Sequence, residues 1–106
     1  MEDFSPIVEI ENATNQLPWT KQQFISSMEV GHHSLVLEES GMVVGFAIYS
    51  PIIPESHLLN IAIDPAHQGK GFGKNLLQHV ILQNETMGVK IISLEVRVSN
   101  KTAINL

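Results

Sequence analysis

The sequence predicts a single α/β domain in which a sheet is flanked by helices. Three observations predict it. Segments with helical spacing of apolar residues alternate with short β-rich runs bounded by Gly, Pro, Asn and Ser. Two of these runs, residues 34–38 and 43–49, flank a Ser40-Gly41 turn, so the second reads as the returning strand of a hairpin. A third, Leu58-Leu59-Asn60-Ile61-Ala62-Ile63, leads through a glycine-rich loop into a long amphipathic helix. The 106 residues make one domain, 1–106, and a chain this size buries roughly 65% of its unfolded surface, enough for one core.

In chain order, Asp3-Phe4-Ser5-Pro6 opens a helix, with Ser5 as cap and Pro6 in the first helical position. Ile7, Val8, Ile10 and Glu11 continue it, and residues 12–15 end it. After Leu17-Pro18-Trp19, Thr20 and Gln23 form a capping box for a second helix. That helix runs to about Glu29, buries Phe24, Ile25 and Met28, and closes at Gly31. The hairpin follows, with Gly45 interrupting its second strand and marking a bulge. Pro51 and Pro54 bound a loop, and residues 57–63 form the third strand. Asp64-Pro65 breaks that strand. The long helix runs from about Gly71 to Met87, with Gly88 as its stop. Phe72, Leu76, Val80, Asn84 and Met87 keep one face, with Leu77 and Ile81 beside them, so that face packs on the sheet. Residues 90–98 form the last strand, and Ser99 or Asn100 caps a final helix that contains Leu106. There is no internal repeat.

Composition excludes several function classes. Hydrophobic content of 43% with 16% charged residues is globular rather than disordered. A net charge of −5 argues against nucleic acid as a partner. The absence of cysteine removes disulfides, thiolate metal sites and an acyl-cysteine intermediate. No signal peptide is visible and no apolar run approaches the ~20 residues of a membrane span, so a soluble, cytoplasmic chain is expected. His32 and His33 are adjacent, which sends strand side chains to opposite faces, and no H-E-x-x-H spacing exists; no metal is expected. His67 adjoins the glycine loop, where a surface or packing role competes with a weak ligand contact.

That loop, Gln68-Gly69-Lys70-Gly71-Phe72-Gly73-Lys74, carries the chemistry. Three glycines in five residues allow positive φ and close backbone approach to a ligand. A helix starting at its far end aims unspent N–H groups and a positive dipole end at the same point. Lys70 and Lys74 add two of only six basic side chains. The combination suits a phosphate or pyrophosphate. A P-loop reading fails at both ends: its first glycine falls on Gln68 and its Ser/Thr on Asn75. A dinucleotide fingerprint places the third glycine one residue later and directly follows a strand; Glu95 downstream mimics its ribose-binding acid, so that reading is weakened but not eliminated. A glycine loop that only starts a helix in another α/β domain is the remaining alternative.

The spacing Q/R-x-x-G-x-G/A, read on Gln68, Gly71 and Gly73, resembles the acetyl-CoA pyrophosphate loop of the GNAT N-acetyltransferases. Asn60-Ile61-Ala62-Ile63-Asp64-Pro65 before it, Leu94-Glu95-Val96-Arg97-Val98-Ser99-Asn100 after it and Leu17-Pro18-Trp19 upstream make the match specific. The set resembles the branch that acetylates the N-terminal alanine of a ribosomal protein (RimI-type), over nearly the whole chain. The resemblance implies a mixed, mostly antiparallel sheet, with the family's first strand and C-terminal strands missing and the chain ending inside the last helix. Sheet edges left unpaired in this way could promote dimerisation.

The resemblance also implies roles. Acetyl-CoA is the co-substrate, without a metal. Its pyrophosphate sits on Gln68, Gly69, Lys70, Gly71, Phe72, Gly73 and Lys74. Its pantetheine arm lies along the main chain of Ile61, Ala62 and Ile63, in the gap between that strand and the one carrying Glu95. A backbone N–H there polarises the thioester carbonyl. Asn100 contacts the cofactor, a role compatible with capping the last helix. Trp19 borders the acceptor site; its alternative is a core anchor between helix and sheet. Glu95 is the general base, with a salt bridge to Arg97 on the same sheet face as the structural alternative. An N-terminal α-amine, with a pKa near ~8 against ~10.4 for lysine, is easier to deprotonate at neutral pH by roughly 3 kcal/mol. A lone carboxylate base therefore suits a protein N-terminus. The family's general acid, a tyrosine, would fall one residue after Leu106, and Tyr49 does not match it. The expectation is acetyl-CoA binding with impaired transfer, since losing a general acid costs on the order of 10²–10⁴ in rate. The alternatives are an inactive acetyl-CoA-binding module and a small-molecule amine acetyltransferase.

Overall fold

A computed structural model describes residues 4–15 and 17–94. Helices α1 (Ser5–Thr14) and α2 (Lys21–Glu29) precede strands β1 (His33–Glu39), β2 (Met42–Ile52) and β3 (Glu55–Ile63). A short 3₁₀ turn, Pro65–His67, leads to α3 (Phe72–Thr86) and β4 (Ile91–Leu94). The sheet order is β1-β2-β3-β4. The first three strands pair antiparallel, and β3 pairs with β4 in parallel. A parallel neighbour needs a crossover connection, and α3 supplies it. This is the mixed, mostly antiparallel sheet flanked by helices that the family resemblance implies.

The centre of β2 is buried on both faces and reads as a continuous apolar run. Phe46 and Ile48 point into one layer with Ile7 and Ile10 of α1, Phe24 of α2 and Ala62. Ala47 and Tyr49 point into the other with Leu58, Ile61 and Ile63 of β3 and Leu76 and Val80 of α3. Each fully buried large apolar side chain in these layers contributes about 1.5–3 kcal/mol.

Local signals place the elements. Thr20 Oγ1 accepts from the Gln23 N–H at 3.2 Å while Gln23 Oε1 accepts from the Thr20 N–H at 2.7 Å, the reciprocal capping box. Gly31 closes α2 at φ 91°, where the Gly31 N–H reaches Met28 O and the His32 N–H reaches Ser27 O, both at 3.1 Å. Gly88 ends α3 in the same way, with the Val89 N–H on Asn84 O at 3.0 Å. The β1–β2 hairpin turns on Ser40 (φ 53°) and Gly41 (φ 81°), both left-handed, as a two-residue loop requires. The expected bulge appears at Gly45: Leu37 pairs with Gly45 and Glu38 with Val43, leaving Val44 as the extra residue. A Cβ on Gly45 would lie 2.5 Å from Ile63 Cδ1 and 3.1 Å from Ala62 O, so close packing holds that position to glycine.

The structure corrects three local expectations. Ser5 is the first residue of α1 rather than its cap; Phe4 holds the cap position and makes no side-chain cap bond. Pro51 does not bound a loop but lies inside β2, opposite Ser56, past the end of β1 where β2 is paired on one side only. The turn is Ile53-Pro54, with a cis peptide bond. Ile81 is 39% exposed, off the packed face of α3, while Leu76, Val80 and Asn84 are buried. The expected strand beyond Leu94 and the final helix lie outside the described residues.

Candidate functional site

The glycine loop is built from the end of β3 outward. Asp64 caps the 3₁₀ turn, its Oδ1 accepting from the Ala66 N–H at 3.2 Å. Gln68 ends the turn in extended backbone, and its Nε2 donates to Ile63 O at 3.0 Å. The Gln68 side chain thus braces the loop against the strand. Gly69 and Gly71 follow at φ 80° and 82°. A Cβ on either would meet nothing within 4 Å, so the left-handed backbone, rather than lack of space, asks for glycine. Gly71 is the N-cap of α3, and the first helical bond runs from the Asn75 N–H to Gly71 O at 3.1 Å. The N–H groups of Phe72, Gly73 and Lys74 precede that bond and point out of the helix end. Lys70 and Lys74 are exposed beside them, Gly73 is buried, and the half-buried Phe72 packs under the loop against the α3 core. Open space over two left-handed glycines, helical N–H donors and two lysines fit a pyrophosphate.

His67 joins this corner. Its Nδ1 lies 3.4 Å from Asp64 Oδ2 and its Nε2 lies 3.6 Å from Glu39 Oε2, and its ring stands 6.2 Å from that of Phe72. It packs under the loop between two carboxylates. The other two histidines considered for a metal separate: His32 Nδ1 bonds Ser27 Oγ at 2.7 Å, and His33 rests against the Tyr49 ring.

The second component is the far half of β3. Ile61, Ala62 and Ile63 are all buried. The Asp64 N–H donates to Val44 O at 2.8 Å, toward β2. Strand alternation therefore turns the main-chain groups of Ile61 and Ile63 to the opposite edge, the one that faces β4. Described pairing with β4 covers Glu55 to Leu58 against Ile91 to Leu94. A second bulge follows at once: Tyr49 pairs with Leu58 and Ile48 with Asn60, so Leu59 is extra. Glu95 and Asn100 lie outside the described residues.

The third component is the corner before α2. Trp19 is half-buried, its ring 5.1 Å from that of Phe24, which in turn meets Phe46 edge-on at 5.5 Å. The same residue walls a groove of about 590 Å³ with Thr20, Gln23, Ser26, His32 and Leu59. One side of Trp19 anchors the core and the other faces the groove.

Glu11 was not singled out from the sequence as a site residue. It is fully buried. Its Oε1 accepts from Asn15 Nδ2 at 2.7 Å and Asn60 Nδ2 at 2.9 Å, and its Oε2 accepts from the Trp19 N–H at 2.9 Å. The available signal was its place on the buried row of α1, four residues after Ile7 and four before Asn15.

The acetyltransferase (GNAT) family model matches residues 2–106. The [ribosomal protein bS18]-alanine N-acetyltransferase of Haemophilus ducreyi is 35% identical over 99% of this chain and 72% of its own length. The enzyme of that name from Haemophilus influenzae is 40% identical over 92% of this chain and 67% of its own length. The crystal structure of the ribosomal-protein-S18-alanine N-acetyltransferase from Escherichia coli superposes with a TM-score of 0.86 at 36% identity, covering 97% of this chain and 66% of that one. The family match, these identities and the close superposition agree, and the chain belongs to the GNAT acetyltransferase family.

Proposed function

We propose that this chain is an N-acetyltransferase that moves acetyl from acetyl-CoA to the N-terminal α-amine of a protein beginning with alanine, ribosomal protein bS18 being the type of acceptor. The observation that carries this reading is the braced loop with two left-handed glycines at the start of α3, in a chain whose relatives bear that activity in their names. Acetyl-CoA supplies the activated acetyl thioester. The N–H groups at the start of α3, with Lys70 and Lys74, hold the pyrophosphate, and Gln68 keeps the loop against β3. The main chain of Ile61, Ala62 and Ile63 runs beside the pantetheine arm and orients it, and a backbone N–H there stabilises charge on the carbonyl oxygen. Glu95 takes the proton that the acceptor amine loses, and Asn100 contacts the cofactor. Trp19 walls the acceptor side. Residues 1–106 belong to one acetyltransferase domain, and a ribosomal acceptor implies a cytoplasmic location.

The test is a titration with acetyl-CoA followed by mass spectrometry of an alanine-starting peptide. Binding near one per chain with a gain of one acetyl on the peptide's α-amine is expected. Glu95→Gln should retain binding and lose turnover by about 10²–10⁴. Acetylation of polyamines in preference to the peptide would overturn the acceptor assignment, and binding without turnover would reduce the chain to an acetyl-CoA-binding module.

A further inference from the structure

The least ordinary side chain in the described fold is Glu11. A fully buried carboxylate normally faces a cation, because charge without compensation is costly to bury. Among the described residues no Lys, Arg or His is seen in an ion pair with it. It is met instead by three N–H donors from three places in the chain. One is Asn15, the residue that caps the end of its own helix. One is the main chain of Trp19, eight residues on. One is Asn60 of β3, 49 residues on and next to Ile61.

The chemistry of this arrangement is specific to a carboxylate. An ionised carboxylate only accepts, through two oxygens with about four lone-pair directions. All three neighbours donate. An amide in the same place could serve the Trp19 N–H with its oxygen only if the Asn15 and Asn60 amides both turned over to accept from its NH₂. The carboxylate accepts from all three as they stand, whereas an amide would have to rebuild the network around Trp19.

We infer that Glu11 is a positioning residue that fixes the Trp19 corner relative to the strand bearing Ile61. The inference rests on the proposed function, in which that corner walls the acceptor site and that strand orients acetyl-CoA. One carboxylate measures the separation between the two substrates' sites. α1 serves as its mount: Ile7 and Ile10 fix the helix in the core, and Glu11 reaches from the next position to both partners.

The chain's single tryptophan is Trp19 itself, so the corner reports on its own position. The experiment compares the full chain with Glu11→Gln, nearly isosteric, by acrylamide quenching of Trp19, acetyl-CoA titration and peptide kinetics. Expected are a folded variant by circular dichroism, increased quenching, an unchanged acetyl-CoA Kd, and a peptide KM raised roughly tenfold with kcat changed less. Unchanged quenching and KM would overturn the inference. So would acetyl-CoA affinity and peptide KM worsening together, the mark of general loosening. If Glu11→Gln fails to fold, Asn60→Ala keeps the carboxylate and two of its donors and cuts only the tie to β3; the same split is expected, and its absence overturns the inference. If the wild-type chain acetylates no amine, the proposed function fails, and the quenching and acetyl-CoA affinities alone decide whether Glu11 sets the corner.

Discussion

Four glycines offer an internally controlled test of the anion loop. Gly31, Gly41, Gly69 and Gly71 sit at φ 91°, 81°, 80° and 82°, and a Cβ added to any of them meets nothing within 4 Å. Alanine at each therefore carries only the backbone cost of a left-handed L-residue, roughly 1–2 kcal/mol. At Gly31 and Gly41, in a helix stop and a hairpin turn, the whole cost should fall on stability, at about 4–8 °C in Tm per kcal/mol. At Gly69 and Gly71 the loop can divide it. To the extent that the free loop relaxes out of the left-handed region, stability is spared and the ligand must restore the strained form. Affinity for CoA then falls by up to about 5- to 30-fold from the backbone alone, and further where the new methyl occupies ligand space. The assay is urea denaturation and CoA titration on all four variants. Gly41→Ala should lose stability and keep affinity, whereas Gly71→Ala should lose affinity. Equal affinities for the two would refute the assignment of the loop as the pyrophosphate cradle.

Other outcomes follow from single contacts. Gly45→Ala forces a methyl against Ile63 Cδ1 and Ala62 O and should destabilise by about 1–3 kcal/mol in urea; adding Ile63→Val removes Cδ1 and should recover part of the loss. Thr20→Ala opens the capping box and should cost about 0.5–2 kcal/mol by the same measurement. Gln68→Glu sets an acceptor against Ile63 O and should weaken CoA binding in calorimetry while leaving the far-UV spectrum unchanged. Burial raises the pKa of the Tyr49 hydroxyl above its ordinary value. The folded state then holds that proton after the unfolded chain has released it. Tyr49 contributes nothing to the pH dependence of stability below the unfolded pKa of about 10, and stability falls as pH rises past it. Denaturation midpoints between pH 8 and 11 should fall less steeply in Tyr49→Phe.

Much of this fold is local in origin and was legible for that reason. The capping box, the Ser40-Gly41 turn, the bulge at Gly45 and the buried row of α3 each follow from residues within a few positions of one another. What escaped was set by neighbours far along the chain. Pro51 reads as a strand breaker until one knows that β1 has ended beside it. Ile81 has the right spacing for the core but falls at the margin of the α3 face, where it remains exposed. Of the site, the glycine loop was visible as a motif, but not the Gln68 brace, which depends on the 3₁₀ turn folding Gln68 back onto Ile63. The row that Glu11 shares with Ile7 hinted at its burial, but not at its tie to β3, whose partner Asn60 lies 49 residues away. On a surface helix a glutamate ordinarily signifies solvent.

The extra residue at Leu59 gives β3 a separable adjustment. Leu58, Ile61 and Ile63 face α3, while Leu59 and Asn60 both lie toward α1 and α2. Removing Leu59 alone would leave Leu58 opposite Tyr49 and Asn60 opposite Ile48 as consecutive pairs, with every other side chain on its present face. The strand would straighten where it now bends after its last described pair with β4. Deleting that one residue would change the course of β3 at the loss of a single side chain from the layer facing α1 and α2.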